Sequence, residues 1–321
     1  MPEIFLYAAM AFMVSAEVVL WGVVKYHRKK FQWLICPEDK LPVFDETLIK
    51  KYFENSFDPE LGWLRRPNDQ GTDETLGGRT TFTLDDNARR TNPGFEALDS
   101  DIAVFGDSFA FCRMVEDDQT WPHYMSTISG KAVQNFGAGN YGVDQAILRF
   151  EPDTMARIHA YWKHYFEYGN ILAFKPRFTL RDGALELHQP AIRSPENYRD
   201  LKAALPEIQK LDQFYRSKFL RDIIKFPYLL SIARRPARHA PILWHLTWGT
   251  IRARWYEGYL KAVAIVLREN ARVNTRLYRD PQAQELLRTL ILRFRDRCIA
   301  ADITPFFLIL PQPADMERDQ S

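Results

Sequence analysis

The stretch "IAVFGDSFAFCRMVEDDQTW", residues 102 to 121, decides the fold. An apolar run, Ile102 to Phe105, leads into a Gly-Asp-Ser turn, and the chain leaves it with the spacing of a helix through about Ser129. A second apolar run, Ala132 to Phe136, follows. Strand, turn, helix, strand is the pattern of a parallel sheet with crossover helices. A serine that closes a buried strand and opens a helix stands at the carboxyl edge of such a sheet, where open α/β folds bind ligands. Its own amide can help to hold an oxyanion there. The plain structural alternative is a cap, since Asp107 and Ser108 both satisfy orphan amides at a helix start.

Outward from this motif the chain alternates short elements. A short amphipathic helix is expected near residues 45 to 54, and a β-type run, Thr80 to Leu84, precedes an Asp-Asp-Asn turn. Residues 153 to 169 carry Met155, Ile158, Trp162, Tyr165 and Phe166 at helical spacing, with Asp153 or Thr154 as cap and His159 and His164 as packing partners. Asp182-Gly183 signals a hairpin. Residues 196 to 270 are helix-rich, basic and aromatic, which suits a helical insertion covering the sheet, and their tryptophans and arginines also suit a membrane surface. The end comprises an amphipathic helix, residues 280 to 303, and "TPFFLILPQP", residues 304 to 313, expected as a buried strand.

At the other end, "IFLYAAMAFMVSAEVVLWGVV" runs from Ile4 to Val24 with Glu17 as its only charge. As a helix it is about 31 Å long, which matches a hydrocarbon core of about 30 Å. The leading "MPE" is not basic and no small-residue cleavage site follows, so a single-pass membrane anchor fits better than a signal peptide. A buried core helix is the other reading. The flanking "KYHRKK" places the bulk of the chain on the cytoplasmic side by the positive-inside rule. The whole chain, 321 residues, suits one large domain with an insertion. Its net charge is +2, from 43 basic and 41 acidic residues, which excludes the electrostatic grip that nucleic acid needs. Cys36, Cys112 and Cys298 are odd in number and widely spaced, so they are free thiols of a reducing compartment rather than a disulfide framework or a metal set.

A second small-residue loop, "VQNFGAGNYGVDQ" at residues 133 to 145, again leaves a strand, and its amides can approach a ligand closely. Together, "FGDSF" and "NFGAGNYG" resemble the first two blocks of the SGNH, or GDSL-type, hydrolases. The segments "FDPELGW", "TWPHYM" and "FKPRFTLRDG" resemble a membrane-linked bacterial branch of that family. The resemblance covers about residues 57 to 190, with a weaker echo in the last helix and strand. It implies a three-layer α/β sandwich with a mostly parallel sheet and a serine esterase or O-acyl transferase without metal or organic cofactor. The implied substrate is an acylated carbohydrate or lipid. Ser108 matches the nucleophile, and Gly139 and Asn140 fall where the second block supplies an oxyanion amide, with Asp107 beside them. Where the family has glycine five residues after the asparagine, this chain has Asn140.

Two family blocks are missing. The third is a strand ending in a G-x-N-D turn, and here "AILRFE" meets "PDTMARI" with no room for a strand between Arg149 and Asp153, so the sheet is expected to be irregular and incomplete after residue 150. Asp153, near that position, cannot donate as a carboxylate. The fourth is D-x-x-H, and the residues three before the seven histidines are Val24, Thr120, Ala156, Tyr161, Leu185, Pro236 and Ile242. A base would have to be recruited from His123, His159 or His164, because catalytic groups are defined by geometry rather than order. The reading is therefore a membrane anchor at 1–28, a leading segment with a hairpin at 29–100, and an SGNH-like α/β domain at 101–321 with a helical insertion at about 196–270. Its turnover is expected to be impaired. The alternatives are a non-catalytic membrane-anchored binding or scaffold protein on the same fold, and a truncated product of a longer gene.

Overall fold

The computed structural model describes residues 2–309 apart from 32–33, 38–43, 76–77, 99, 151–175, 191, 205 and 207–219. The architecture is mixed α/β and rich in helix, with short two-stranded sheets. The N-terminal apolar run forms α1 (Pro2–Arg28), and the span Glu3–Arg28 is long and apolar enough to cross a membrane, with a mean hydropathy of 1.9. Helix α2 (Glu46–Asn55) starts at Asp45, whose carboxylate accepts from the amides of Thr47 and Leu48 at 2.8 and 3.2 Å. Strands β1 (Phe57–Asp58) and β2 (Gly62–Trp63) close a tight turn, and β3 (Gln70–Thr75) pairs antiparallel with β4 (Gly78–Thr83). The chain reverses again after Leu84, where the Asp85 carboxylate accepts from the amides of Asn87 and Arg89, both at 2.9 Å.

The strand, turn, helix, strand unit follows: β5 (Ile102–Val104), α3 (Ser108–Phe111), α4 (Trp121–Ser129) and β6 (Val133–Asn135). Strands β5 and β6 pair in parallel, with Ile102 opposite Val133 and Val104 opposite Asn135. Helix α5 (Val143–Phe150) leaves the second loop. Strands β7 (Arg177–Arg181) and β8 (Ala184–His188) form the Asp182-Gly183 hairpin, in which both turn residues take positive φ, 52° and 78°. Beyond α6 (Pro195–Arg199) lie α7 (Tyr228–Arg234), α8 (Pro236–Ile251), α9 (Trp255–Tyr278) and α10 (Pro281–Ala300).

Apolar packing gathers at two main centres. Val24, Phe31, Leu34 and Ile35 pack with Ile224, Ile242, Leu243, Leu246, Ala262 and Val266, so the second half of α1 is the spine of a helical module with α7, α8 and α9. Helices α8 and α9 touch through glycine: a Cβ on Gly258 would stand 2.3 Å from the His245 carbonyl oxygen. The other centre joins Leu61, Ala138, Tyr141, Ile147, Leu148 and Phe178 to Leu290 of α10, which lies over α5.

Among the described residues each sheet has two strands and β5–β6 is the parallel pair, so the expected three-layer sandwich with a mostly parallel sheet is not seen there, and two segments depart from expectation as well. The helix that starts at Ser108 stops at Phe111, because Cys112 and Met114 turn into the left-handed region at φ 58° and 72°. The described part of "TPFFLILPQP" is not a buried strand: residues 303–309 pair with no described strand, and Phe306, Leu308 and Ile309 are exposed. A strand needs a neighbour to satisfy its backbone, and none of the described strands presents one to this segment. The helix expected at 153–169, with Asp153, His159 and His164, lies outside the described residues.

Candidate active site

Beyond the last residues of β5 and β6 the two loops run side by side. The Phe136 amide donates to the Val104 carbonyl at 2.8 Å, and the Ala138 amide to that of Gly106 at 2.9 Å. Their closeness demands glycine at one position above all, because a Cβ on Gly137 would stand 2.2 Å from the Phe111 nitrogen. Asn135, fully buried, stitches loop to helix: its side-chain amide donates to the Ala110 carbonyl at 2.8 Å and its oxygen accepts from the Gly137 amide at 2.9 Å.

Asp107 is the N-cap of α3, and its carboxylate accepts from the Phe109 amide at 2.8 Å. Ser108 is the first helical residue; its side chain is half-buried and its hydroxyl makes no hydrogen bond among the described residues. The capping role open to either residue thus falls to Asp107. Asn140 takes φ 64°, a conformation glycine adopts freely and asparagine tolerates, which accounts for asparagine at a position where the resembled family has glycine. Gly139 precedes it, and its carbonyl accepts from the Trp63 indole at 3.1 Å. The Trp63 carbonyl in turn accepts from the Tyr141 hydroxyl at 2.7 Å, so the "FDPELGW" turn holds the second loop from outside.

Guanidinium groups fix the rest. Arg90 is buried and donates to the Asp117 carboxylate at 2.8 Å and to the carbonyls of Phe111, Cys112 and Val115 at 2.8, 2.5 and 2.6 Å. This grip on three carbonyls that no helix satisfies is the physical reason α3 ends where it does. Arg149 reaches the carbonyls of Phe136 and Ala88, both at 2.6 Å. Arg113 lies next to Gly139 and pairs with Asp73 at 2.6 Å. Burial works against the Asp73 charge, but the Arg113 guanidinium outweighs it and holds the carboxyl below the usual carboxylate range. Burial pushes the Cys112 thiol up, away from the thiolate a nucleophile needs.

The described histidines stand elsewhere. His123 Nδ1 bonds Asn92 Oδ1 at 3.0 Å, and the Asn92 amide donates to Ser126 Oγ and to the Val133 carbonyl. Val133 begins β6, whereas Ser108 lies past the end of the parallel β5, so His123 is pinned at the opposite edge of the sheet. His188 bonds Thr179 on the β7–β8 hairpin, and His27, His239 and His245 belong to the helical module. The structure therefore brings Ser108, Asp107 and the loop carrying Gly139 and Asn140 together, without a histidine among the described residues. Asn135, Arg90 and Arg149 are the site-building residues that sequence reasoning missed; only the asparagine, opening "NFGAG", carried any local signal. Comparison of the chain with protein-family models, with curated proteins and with solved structures finds no match.

Proposed function

We propose that this chain is a membrane-anchored protein of the SGNH hydrolase type, whose Ser108 crevice engages the acyl ester of a carbohydrate or lipid. Its relatives in chemistry are serine esterases and O-acyl transferases. The observation that carries the reading is the division of labour at the turn. Asp107 takes the cap, which leaves the half-buried Ser108 side chain without that structural task, at a turn that runs beside the small-residue loop 136–142. In a complete site Ser108 attacks the carbonyl, a base takes its proton, and amides of Ser108 and the Gly139–Asn140 turn hold the oxyanion. Among the described residues no base reaches Ser108, and on this reading the site binds esters better than it turns them over. The α/β part lies on the cytoplasmic face, in keeping with the basic segment after α1.

The test is binding rather than rate. Acetylated and deacetylated xylo-oligosaccharides, mixed with the purified chain, are compared by NMR. Broadening of the acetyl methyl signal that disappears in Ser108→Trp supports the crevice, and equal broadening in both proteins refutes it. A reporter fused after Ser321 and active only outside the cytoplasm would reverse the topology.

A further inference from the structure

The length of α1 and the place where α7 docks on it are in tension for a protein standing clear of the bilayer. Residues 3 to 15 of α1 are exposed throughout, and packing on the rest of the molecule begins at Ala16 and Glu17. That free stretch is about 20 Å long, short of the about 30 Å of a hydrocarbon core. Spanning requires the helix through Val24, and Glu17 then lies about 10 Å below Val24 along the axis. Glu17 is not bare there. Its two carboxylate oxygens accept from the backbone amides of Tyr228 and Leu229 at 2.8 and 2.9 Å, the opening amides of α7. A carboxylate inside lipid requires such partners, and these belong to α7, so α7 goes to the depth of Glu17.

Apolar side chains at the start of α7 and along α8 are exposed. Phe226 is 70% exposed and Leu230, on α7, 46%. Along α8 the exposed residues are Pro236, Ala237, Ala240, Trp244, Trp248 and Ile251, all apolar, while Ile242, Leu243 and Leu246 join the buried cluster that includes Val24. Three tryptophans about the end of α1 and the α8–α9 turn pair with cations: Lys25 over Trp21 at 4.5 Å, Arg252 over Trp248 at 4.5 Å and Lys30 over Trp255 at 3.6 Å. Tryptophan beside lysine or arginine is the composition of the headgroup region, with apolar side chains below it.

We infer that the start of α7 and the α8–α9 turn are a second membrane contact, seated in the leaflet on the side of the α/β domain, with Phe226 and Leu230 in the acyl region and the three tryptophan–cation pairs among the headgroups. The inference rests on α1 as a membrane anchor. The partner is an anionic lipid surface, since Lys25, Lys29, Lys30, Arg252 and Arg254 gather about the end of α1 and the α8–α9 turn, where Glu257 lies between Lys261 at 2.7 Å and Arg254 at 3.8 Å. One consequence is that the Ser108 domain is held at a fixed height and tilt over the bilayer rather than swinging from a single helix.

The experiment uses the full chain, its cysteines replaced by serine, reconstituted in phosphatidylcholine–phosphatidylglycerol vesicles. Nitroxide labels are placed in turn through Leu230→Cys, Ile251→Cys and, as a water-exposed control, Lys131→Cys. Accessibility to oxygen relative to a polar nickel complex should be at least tenfold higher at position 230 than at 131, with 251 between them. Equal accessibility at all three, in vesicles that retain the chain through a carbonate wash, overturns the second contact and leaves the anchor standing. Release of the chain by carbonate overturns both. Short distances between labels at position 251 on two copies overturn the lipid assignment in favour of self-association.

Discussion

The helical module around α1 and the loops around Ser108 hold their shapes by different balances of packing and side-chain bonds to backbone. In the module, regular helices satisfy their own backbones, and the fit is apolar: Leu34, Ile35, Ile224, Ile242 and Leu246 are all essentially fully buried. Its charges, the buried Asp222 and Arg238 and the half-buried Arg235 and Glu269, pair in a single cluster, and Arg238 also donates to the Leu34 carbonyl at 3.1 Å. Around the Ser108 turn the apolar core is small, Phe82, Leu84 and Phe111, while the second loop joins the larger centre through Ala138 and Tyr141. There the carbonyls that no helix or strand satisfies are collected by arginine and asparagine side chains. Loops without regular secondary structure leave backbone groups to be satisfied, so their shape is set by directional bonds to backbone.

Substitutions that remove one kind of support and spare the other separate the two regions. The largest effect is expected for Arg90→Met, which strands Asp117 and three carbonyls and costs about 3–5 kcal/mol. Limited proteolysis should cut the 111–117 segment while α8 and α9 remain protected. Leu246→Ala should cost about 2–5 kcal/mol with the opposite pattern, opening the module and sparing the crevice. Cleavage that spreads over both regions in either variant would mean that they are one cooperative unit. Gly137→Ala is smaller, about 1–3 kcal/mol, because a methyl group must displace the Phe111 backbone, and it should weaken ligand broadening more than it lowers the melting temperature. The mildest effect is one of pH. Burial and then the neighbouring guanidinium groups of Arg238 and Arg235 lower His239 to about 4. The unfolded chain takes up a proton near pH 6.5 and the folded chain does not, so stability falls as pH drops from about 6.5 to about 4 and levels off below. His239→Gln should flatten that part of the urea-midpoint curve.

What the sequence made legible follows the same division. Periodicity located α1, α2, the β5–β6 pair, the Asp182-Gly183 turn and α10, because regular elements impose their own spacing. The break after Phe111 was illegible, since it depends on Arg90, which comes earlier in the chain and whose burial no local pattern announces. The segment 303–309 failed for the converse reason: its composition is that of a buried strand, but pairing depends on a neighbour. For the site, Ser108, Asp107, Gly139 and Asn140 were readable as two loops, and the assignment of the cap to Asp107 needed coordinates. The docking of α7 on Glu17 was equally hidden, as the two are joined only through the fold.

Among the described residues no base is placed beside Ser108, and a chain in which none reaches it should turn esters over poorly. A serine hydroxyl is a weak nucleophile near neutral pH until a base accepts its proton, and in a serine protease loss of the histidine costs on the order of 10⁶ in turnover. The direct measurement is hydrolysis of a short activated ester by the purified chain beside its Ser108→Ala variant, with a serine-directed fluorophosphonate probe as second readout. The account predicts rates within about tenfold of each other and no rapid labelling, as expected for residual catalysis by binding and oxyanion contacts alone. A wild-type rate higher by roughly a hundredfold or more, with the probe on Ser108, would contradict it, since that margin requires the general base.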